Sequence, residues 1–135
     1  MDTFYLKITS SSGLFYEGQC QSIVLPTDDG EYGVLAHHAS MVVGISIGIL
    51  RYKADDKWYY VAVGQGFSRI VANSVVIVVD SAERPEDIDE NRALEAKRRA
   101  EERISLQKSR REYYRGRLAM TRAMTRLKAK DKRYM

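Results

Sequence analysis

Six arginines in the last third of the chain fall into two sets with one spacing: Arg92, Arg99 and Arg103, then Arg115, Arg122 and Arg126. Steps of seven and four residues keep each set on one face of an α-helix, so the sequence draws two basic stripes. Guanidinium groups about 6 Å apart repel by about 0.7 kcal/mol in a water-like dielectric and about 3 kcal/mol at an effective dielectric near 20. An anion placed between two such stripes turns that repulsion into attraction, and the planar fork of arginine suits phosphate oxygens. The plain alternative is two solvated helix faces. No Gly-x-x-x-x-Gly-Lys loop is present, so a hydrolytic nucleotide site of that type is not expected.

The elements that carry the stripes begin after Pro85. Asp87 with Glu90 reads as a capping box, and Pro85 stops the preceding strand. Ala93, Ala96, Ala100 and Ile104 then form a narrow stripe of mostly small residues, suited to a close helix neighbour. Ser109 with Glu112 reads as a second capping box, followed by Tyr113, Met120, Ala123 and Leu127 on one face. The connection from Ser105 to Ser109 holds neither glycine nor proline, so no residue in it costs a helix more than about 0.7 kcal/mol. The same residues can therefore form a hairpin or one rod, which from Asp87 to Lys130 reaches about 65 Å.

Before residue 83 the pattern is different. Eight of the nine glycines lie between Gly13 and Gly66, and short runs rich in Val, Ile, Tyr and Phe alternate with turn residues: Thr3–Ser10, Gln19–Leu25, Lys57–Val63, Phe67–Ala72 and Val75–Val79. That is the pattern of an all-β sandwich or barrel. Ala54 to Lys57 reads as a hairpin turn, and so does Asn73-Ser74. Trp58, Tyr60 and Ala62 take one face of their strand and Tyr59, Val61 and Val63 the other. Both faces are fairly apolar, which predicts a strand covered on both sides.

Composition narrows the function. The chain of 135 residues is 44% hydrophobic and 10% aromatic, enough for one core with an appendage. Its net charge of +4 is uneven: residues 1–82 carry 5 Lys and Arg against 8 Asp and Glu, whereas residues 83–135 carry 17 against 10. The two parts therefore meet different partners. A lone cysteine, Cys20, has no intramolecular disulfide partner, and with no signal-like start the expectation is a cytosolic protein. The longest apolar run, Met41 to Leu50, is too short and too glycine-rich to span a membrane. Nucleic-acid binding is suggested by the basic balance and by Tyr113-Tyr114-Arg115, but no recognisable module accompanies it. Cys20, His37 and His38 show no catalytic spacing, so no enzyme is expected. Adjacent histidines on a strand point to opposite sides with no third ligand near, so no metal is expected either.

Four stretches resemble a known family: Gly30-Glu31-Tyr32-Gly33-Val34-Leu35-Ala36-His37-His38-Ala39, Gly48-Ile49-Leu50-Arg51, Gly64-Gln65-Gly66-Phe67, and the run from Ala82 to Ala93. In this order, over Phe4 to about Lys130, they are similar to the epsilon subunit of bacterial F-type ATP synthases. The chain departs from the family pattern at Ser40, often proline, and at Gly64-Gln65-Gly66, often a glycine pair. The resemblance implies an α+β chain. A ten-stranded β-sandwich over 1–83 would bind the gamma subunit and the c-ring, and an antiparallel two-helix hairpin over 84–135 would be able to extend.

The same resemblance implies a non-catalytic rotor subunit that couples the catalytic head to the c-ring. Its helices would restrain ATP hydrolysis from a peripheral position on the cytoplasmic face of the bacterial membrane. Ile88-Asp89-x-x-Arg92-Ala93 matches the family's nucleotide motif, which implies ATP as a regulatory ligand held by Glu83, Ile88, Asp89, Arg92, Ala93, Arg99, Arg122 and Arg126. By the same resemblance Glu31 and His38 face the c-ring or gamma. Arg103 and Arg115 are assigned to acidic surfaces of the alpha and beta subunits in the extended state, consistent with a net charge of +9 over Ser105 to Met135.

Overall fold

The computed structural model describes residues 2–106 and 110–131, the side chains of 105, 106 and 110–112 excepted. Ten strands come first: β1 (Phe4–Ser10), β2 (Gly13–Cys20), β3 (Ser22–Thr27), β4 (Gly30–Leu35), β5 (Met41–Ile45), β6 (Gly48–Ala54), β7 (Lys57–Val63), β8 (Gly66–Val71), β9 (Ser74–Val79) and β10 (Ala82–Glu83). They form two five-stranded sheets, ordered β2-β1-β9-β8-β5 and β10-β7-β6-β3-β4. Among the described residues only β1 and β9 pair in parallel. Alternation puts Leu6 and Ile8, Ile23 and Leu25, Leu50, Ile70 and Ile77 between the sheets, all fully or almost fully buried. The sandwich expected from the strand pattern is present, with ten strands.

Three local expectations need correcting. The run Gln19–Leu25 is not one strand: β2 ends at Cys20 and β3 starts at Ser22. Gln21 breaks it because its amide donates to the Lys53 carbonyl (2.7 Å) while its side chain closes a two-way bond with Asp56 (Nε2 to Oδ1 3.1 Å; Asp56 N to Oε1 2.8 Å). The β8–β9 turn sits one residue early, on Ala72 (φ 51°) and Asn73 (φ 58°), the left-handed pair of a tight hairpin. Asn73 secures it by accepting from the His37 amide (2.7 Å) and donating to the Thr3 carbonyl (2.9 Å). Finally, β7 is covered on both faces only at Val61, Ala62 and Val63, and Trp58 and Tyr59 are exposed. The edge strand β10 reaches only Ala62 and Val63, so the first half of β7 lacks a neighbour on that side. The Asp55–Asp56 turn (φ 52° and 61°) is where the sequence placed it.

The chain divides into two compact units, Met1–Arg84 and Pro85–Met135. In the second, a 3₁₀ turn (Pro85–Asp87) leads to α1 (Glu90–Leu106), and α2 (Arg110–Lys130) follows. Asp87 lies in the 3₁₀ turn, so it does not cap α1. The cap is Asp89, whose Oδ1 accepts from the Arg92 amide (3.1 Å) and whose carbonyl accepts from Ala93 (3.0 Å). Ser105 and Leu106 belong to α1 rather than to the connection. The expected cap Ser109 and Glu112 side chain lie outside the described residues. The helices pack on each other as an antiparallel pair: Gly116 near the start of α2 lies against Arg103 and Ile104 near the end of α1, while α2 also meets the 3₁₀ turn at the other end.

Two core positions on β8 behave oppositely. A Cβ on Gly66 would stand 2.0 Å from the Val78 carbonyl oxygen and 2.7 Å from Val79 Cα, both backbone atoms of the paired strand. Ser68 is fully buried, and among the described residues its hydroxyl has no hydrogen-bond partner. Gly66→Ala is therefore expected to lower stability by more than about 2 kcal/mol through strand displacement. Ser68→Ala is expected to raise it by about 1 kcal/mol by removing an unmet polar group. Urea denaturation of both variants checks this, and the two signs must differ.

Burial pushes the Tyr52 hydroxyl from 10.0 up to about 12, with Tyr16, 4.6 Å away between ring centroids, adding to the shift. A raised acid is held neutral in the fold, so its contribution is complete below pH 10 and is lost as pH rises from 10 through about 12. The melting temperature should fall over that window. Tyr52→Phe should flatten the fall, as read by calorimetry at successive pH values.

Candidate functional site

The basic stripes are positioned by the alanines beside them. Ala93 and Ala100 on α1 and Ala123 on α2 are buried to 3% exposure or less, whereas Arg92, Arg99, Arg103 and Arg115 are exposed. At roughly 100° of rotation per residue, Arg92, Arg99 and Arg103 stand about 100° from the Ala93–Ala100 seam. Arg115, Arg122 and Arg126 stand roughly 60–100° from the Gly116–Ala123 seam in the same rotational sense. In an antiparallel pair, equal offsets of one sense fall on the same side. The stripes thus do not face each other across the seam; they flank it together and make one basic side of the hairpin.

The Gly116 contact also fixes how far the helices overlap. With Gly116 level with Arg103 and Ile104, the register brings Arg103 level with Arg115, Arg99 with Arg122, and Arg92 with Arg126, each to well within a helical turn. The result is a ladder of three arginine rungs. Four and seven residues read backwards along α2 run beside seven and four read forwards along α1, so the total span of eleven residues matches and the rungs are staggered by one or two residues. On the other side of the hairpin lie Leu94 and Met124, about half exposed. Glu101 pairs with Lys97 on that side (4.0 Å), and Glu102 with Arg98 (3.4 Å) toward the outward back of α1.

The other expected nucleotide residues divide. Ile88 and Ala93 are buried, so they shape the hairpin's base, and any ligand contact of Ala93 would be through its backbone. Asp89 is exposed and already caps α1 through Oδ1, leaving the second oxygen as the acceptor for a ligand. Glu83 lies on β10, in the sandwich unit.

On the sandwich, the residues expected to face other subunits sit in two separate networks. Glu31 Oε2 pairs with Arg51 Nη1 at 2.5 Å, and the Arg51 guanidinium lies 5.7 Å from the Trp58 ring centre. His38 and His37 are not on a strand but in the loop after β4, where His37 takes a left-handed φ of 64° and its ring meets Asp2 (3.3 Å). His38 Nδ1 lies 2.8 Å from the Ala39 carbonyl and Nε2 lies 3.0 Å from the Tyr32 hydroxyl. A carbonyl only accepts, so Nδ1 carries a proton, and the Tyr32 hydroxyl beside Nε2 also lies 3.0 Å from Met41 Sδ. Among the described residues no group of three metal-ligating side chains occurs.

Sequence reading missed an apolar surface. On the outer face of the β2-β1-β9-β8-β5 sheet, Val42, Phe67, Val71 and Val78 are 40–66% exposed. Phe67 stands opposite Gly44 and Val78, and Val42 opposite Arg69, so the apolar residues of β5, β8 and β9 surround one exposed arginine. The signal was available: apolar residues at both odd and even positions of these strands mean that the outward face is apolar too.

Two family models cover the chain: the ATP synthase delta/epsilon chain β-sandwich domain matches residues 3–85 and the delta/epsilon chain long α-helix domain matches 86–131. The ATP synthase epsilon chain of Ruminiclostridium cellulolyticum is 44% identical over 98% of this chain and 99% of its own length. The chloroplastic epsilon chain of Jasminum nudiflorum is 35% identical over 94% and 96%. A chain of the Euglena gracilis mitochondrial ATP synthase structure, comprising OSCP, F1 and c-ring, has the same fold with a TM-score of 0.80 at 23% identity, over 91% of this chain and 78% of that one. No helix among the described residues is long and apolar enough to cross a membrane. A sandwich and a helical pair, each matched by its own family model and both matched at once by full-length relatives, place the chain in the family of ATP synthase epsilon chains.

Proposed function

We propose that this chain is a non-catalytic rotor subunit of the ATP synthase central stalk, whose helical hairpin restrains ATP hydrolysis unless ATP holds it folded. In this reading the enzyme makes ATP from an ion gradient, and the sandwich carries torque at the cytoplasmic face of the membrane. The gamma subunit covers the exposed apolar residues Val42, Phe67, Val71 and Val78 around Arg69. The c-ring meets the end of the sandwich that presents Glu31 and His38. Glu31 is already paired with Arg51, so the contact is with an ion pair rather than a free carboxylate.

The observation that carries the regulatory reading is the arginine ladder on a hairpin sealed mainly by alanines. Alanine adds little to a seam, roughly 0.8 kcal/mol per buried carbon group, while the rungs repel. ATP would bridge Arg92 and Arg126 with Arg99 and Arg122 through its phosphates. Asp89 would accept from the adenine amino group or the ribose. Binding only to the folded pair stabilises it by RT ln(1 + [L]/Kd), about 2.7 kcal/mol at a hundredfold excess over Kd. Without ATP the pair opens, and the basic second helix, with Arg103 and Arg115, meets acidic surfaces of alpha and beta.

Calorimetry of the chain with ATP is expected to give saturable binding that Arg99→Gln with Arg122→Gln weakens at least about tenfold. No heat at millimolar nucleotide would reject the ligand. Removing residues from Ser105 onward in the reconstituted enzyme is expected to raise ATP hydrolysis. An unchanged rate would reject the restraint.

A further inference from the structure

The ladder is longer than the ligand proposed for it. Arg92 to Arg103 and Arg115 to Arg126 each span eleven residues, about 16 Å of helix. A triphosphate is shorter than that, and the nucleotide reading uses only the rungs Arg92/Arg126 and Arg99/Arg122. The third rung, Arg103 and Arg115, continues the line on the same side, and both residues are exposed. Neither makes an ion pair with a described residue. Gly116 lets the two helices come close at this point: a Cβ there would lie 3.3 Å from Arg103 Cβ and 3.1 Å from Ile104 Cγ1. Arg103 and Arg115 thus leave the two helices at the same level of a close backbone approach. Lys97 and Arg98, by contrast, are matched by Glu101 and Glu102 away from the ladder.

We infer that the basic side of the hairpin is a binding site for a linear polyphosphate chain longer than three phosphates, with Arg103 and Arg115 as the subsite for the units beyond the third. The proposal rests on the nucleotide reading for its first two rungs and adds the third. The chemistry is that of a flexible chain with one charge per phosphate, laid along the seam so that each rung contributes two forked donors. A free inorganic chain and the tail of a longer nucleotide present this same chemistry. The site selects for chain length because each further rung adds charge-assisted hydrogen bonds, whereas the paired charges away from the ladder add none.

The test is calorimetry of the full chain with linear inorganic triphosphate, linear inorganic hexaphosphate, ATP, adenosine pentaphosphate and a six-phosphate oligothymidylate. The variants are R103Q/R115Q and, as a control of equal charge loss away from the ladder, K97Q/R98Q, with helix content checked by circular dichroism. Hexaphosphate is expected to bind at least about tenfold tighter than triphosphate, and R103Q/R115Q to remove that advantage while changing triphosphate and ATP binding less than about twofold. The control is expected to keep the advantage. A matching gain of adenosine pentaphosphate over ATP assigns the subsite to nucleotide tails as well, and no such gain assigns it to the inorganic chain. Equal affinity for the two inorganic chains, an equal loss in the control, or equally tight oligothymidylate would overturn the proposal. Hexaphosphate binding without ATP binding would reject the nucleotide reading alone, and ATP binding without a chain-length effect would reject this one alone.

Discussion

The helical unit depends on a conflict between its seam and its side. Six arginines stand along one side of a two-helix pair whose buried seam is Ala93, Ala100 and Ala123, with Gly116 at a close approach. Small residues let the helices come close, and closeness is what brings the guanidinium rungs into mutual range. The same residues that make the pair possible therefore make it poor in apolar contact and rich in repulsion. Such a pair is sensitive to whatever anion lies along it, because the ligand removes the opposing force at the place where it arises. A seam of leucines would fold more firmly and respond less.

The sandwich is built on the opposite plan. Its core joins large branched side chains from both sheets, turns are closed by Asn73 and the Gln21–Asp56 pair, and Gly66 lets two backbones meet where any side chain would intrude. The remaining polar irregularity, the Ser68 hydroxyl, is buried without a described partner. One chain thus joins a firmly packed sandwich to a charged helical pair, and the change in composition at residue 83 is the trace of that division.

How much of this was legible depended on whether the signal was local. The strand runs other than Gln19–Leu25, the Asp55–Asp56 turn and the switch to helical period at Pro85 depend on neighbours in sequence, and they read correctly. The cap moved from Asp87 to Asp89 because Pro85 nucleates a 3₁₀ turn that takes up Asp87 first, a competition that spacing alone does not rank. Gln21 looked like part of a strand because what breaks it, the Lys53 carbonyl and Asp56, lies more than thirty residues away. The stripes themselves were visible, but not their mutual placement. That they share one side of the pair, rather than facing each other, follows from the register set by Gly116 against Arg103 and Ile104, which is a tertiary fact. His37 and His38 were expected on a strand and lie in a loop for a similar reason: His37 takes a left-handed backbone with its amide held by Asn73 from the distant β8–β9 turn.

The distance between the helices as a function of bound anion tests the central claim most directly. Spin labels at Leu94→Cys and Met124→Cys, on the side away from the arginines and in a Cys20→Ala background, report it without touching the ladder. At low salt the account predicts a broad distribution with long distances, which ATP collapses to a single short one, in keeping with helix axes about 8–10 Å apart. A short, narrow distribution that is the same with and without nucleotide would contradict it, because the alanine seam would then suffice to hold the pair closed.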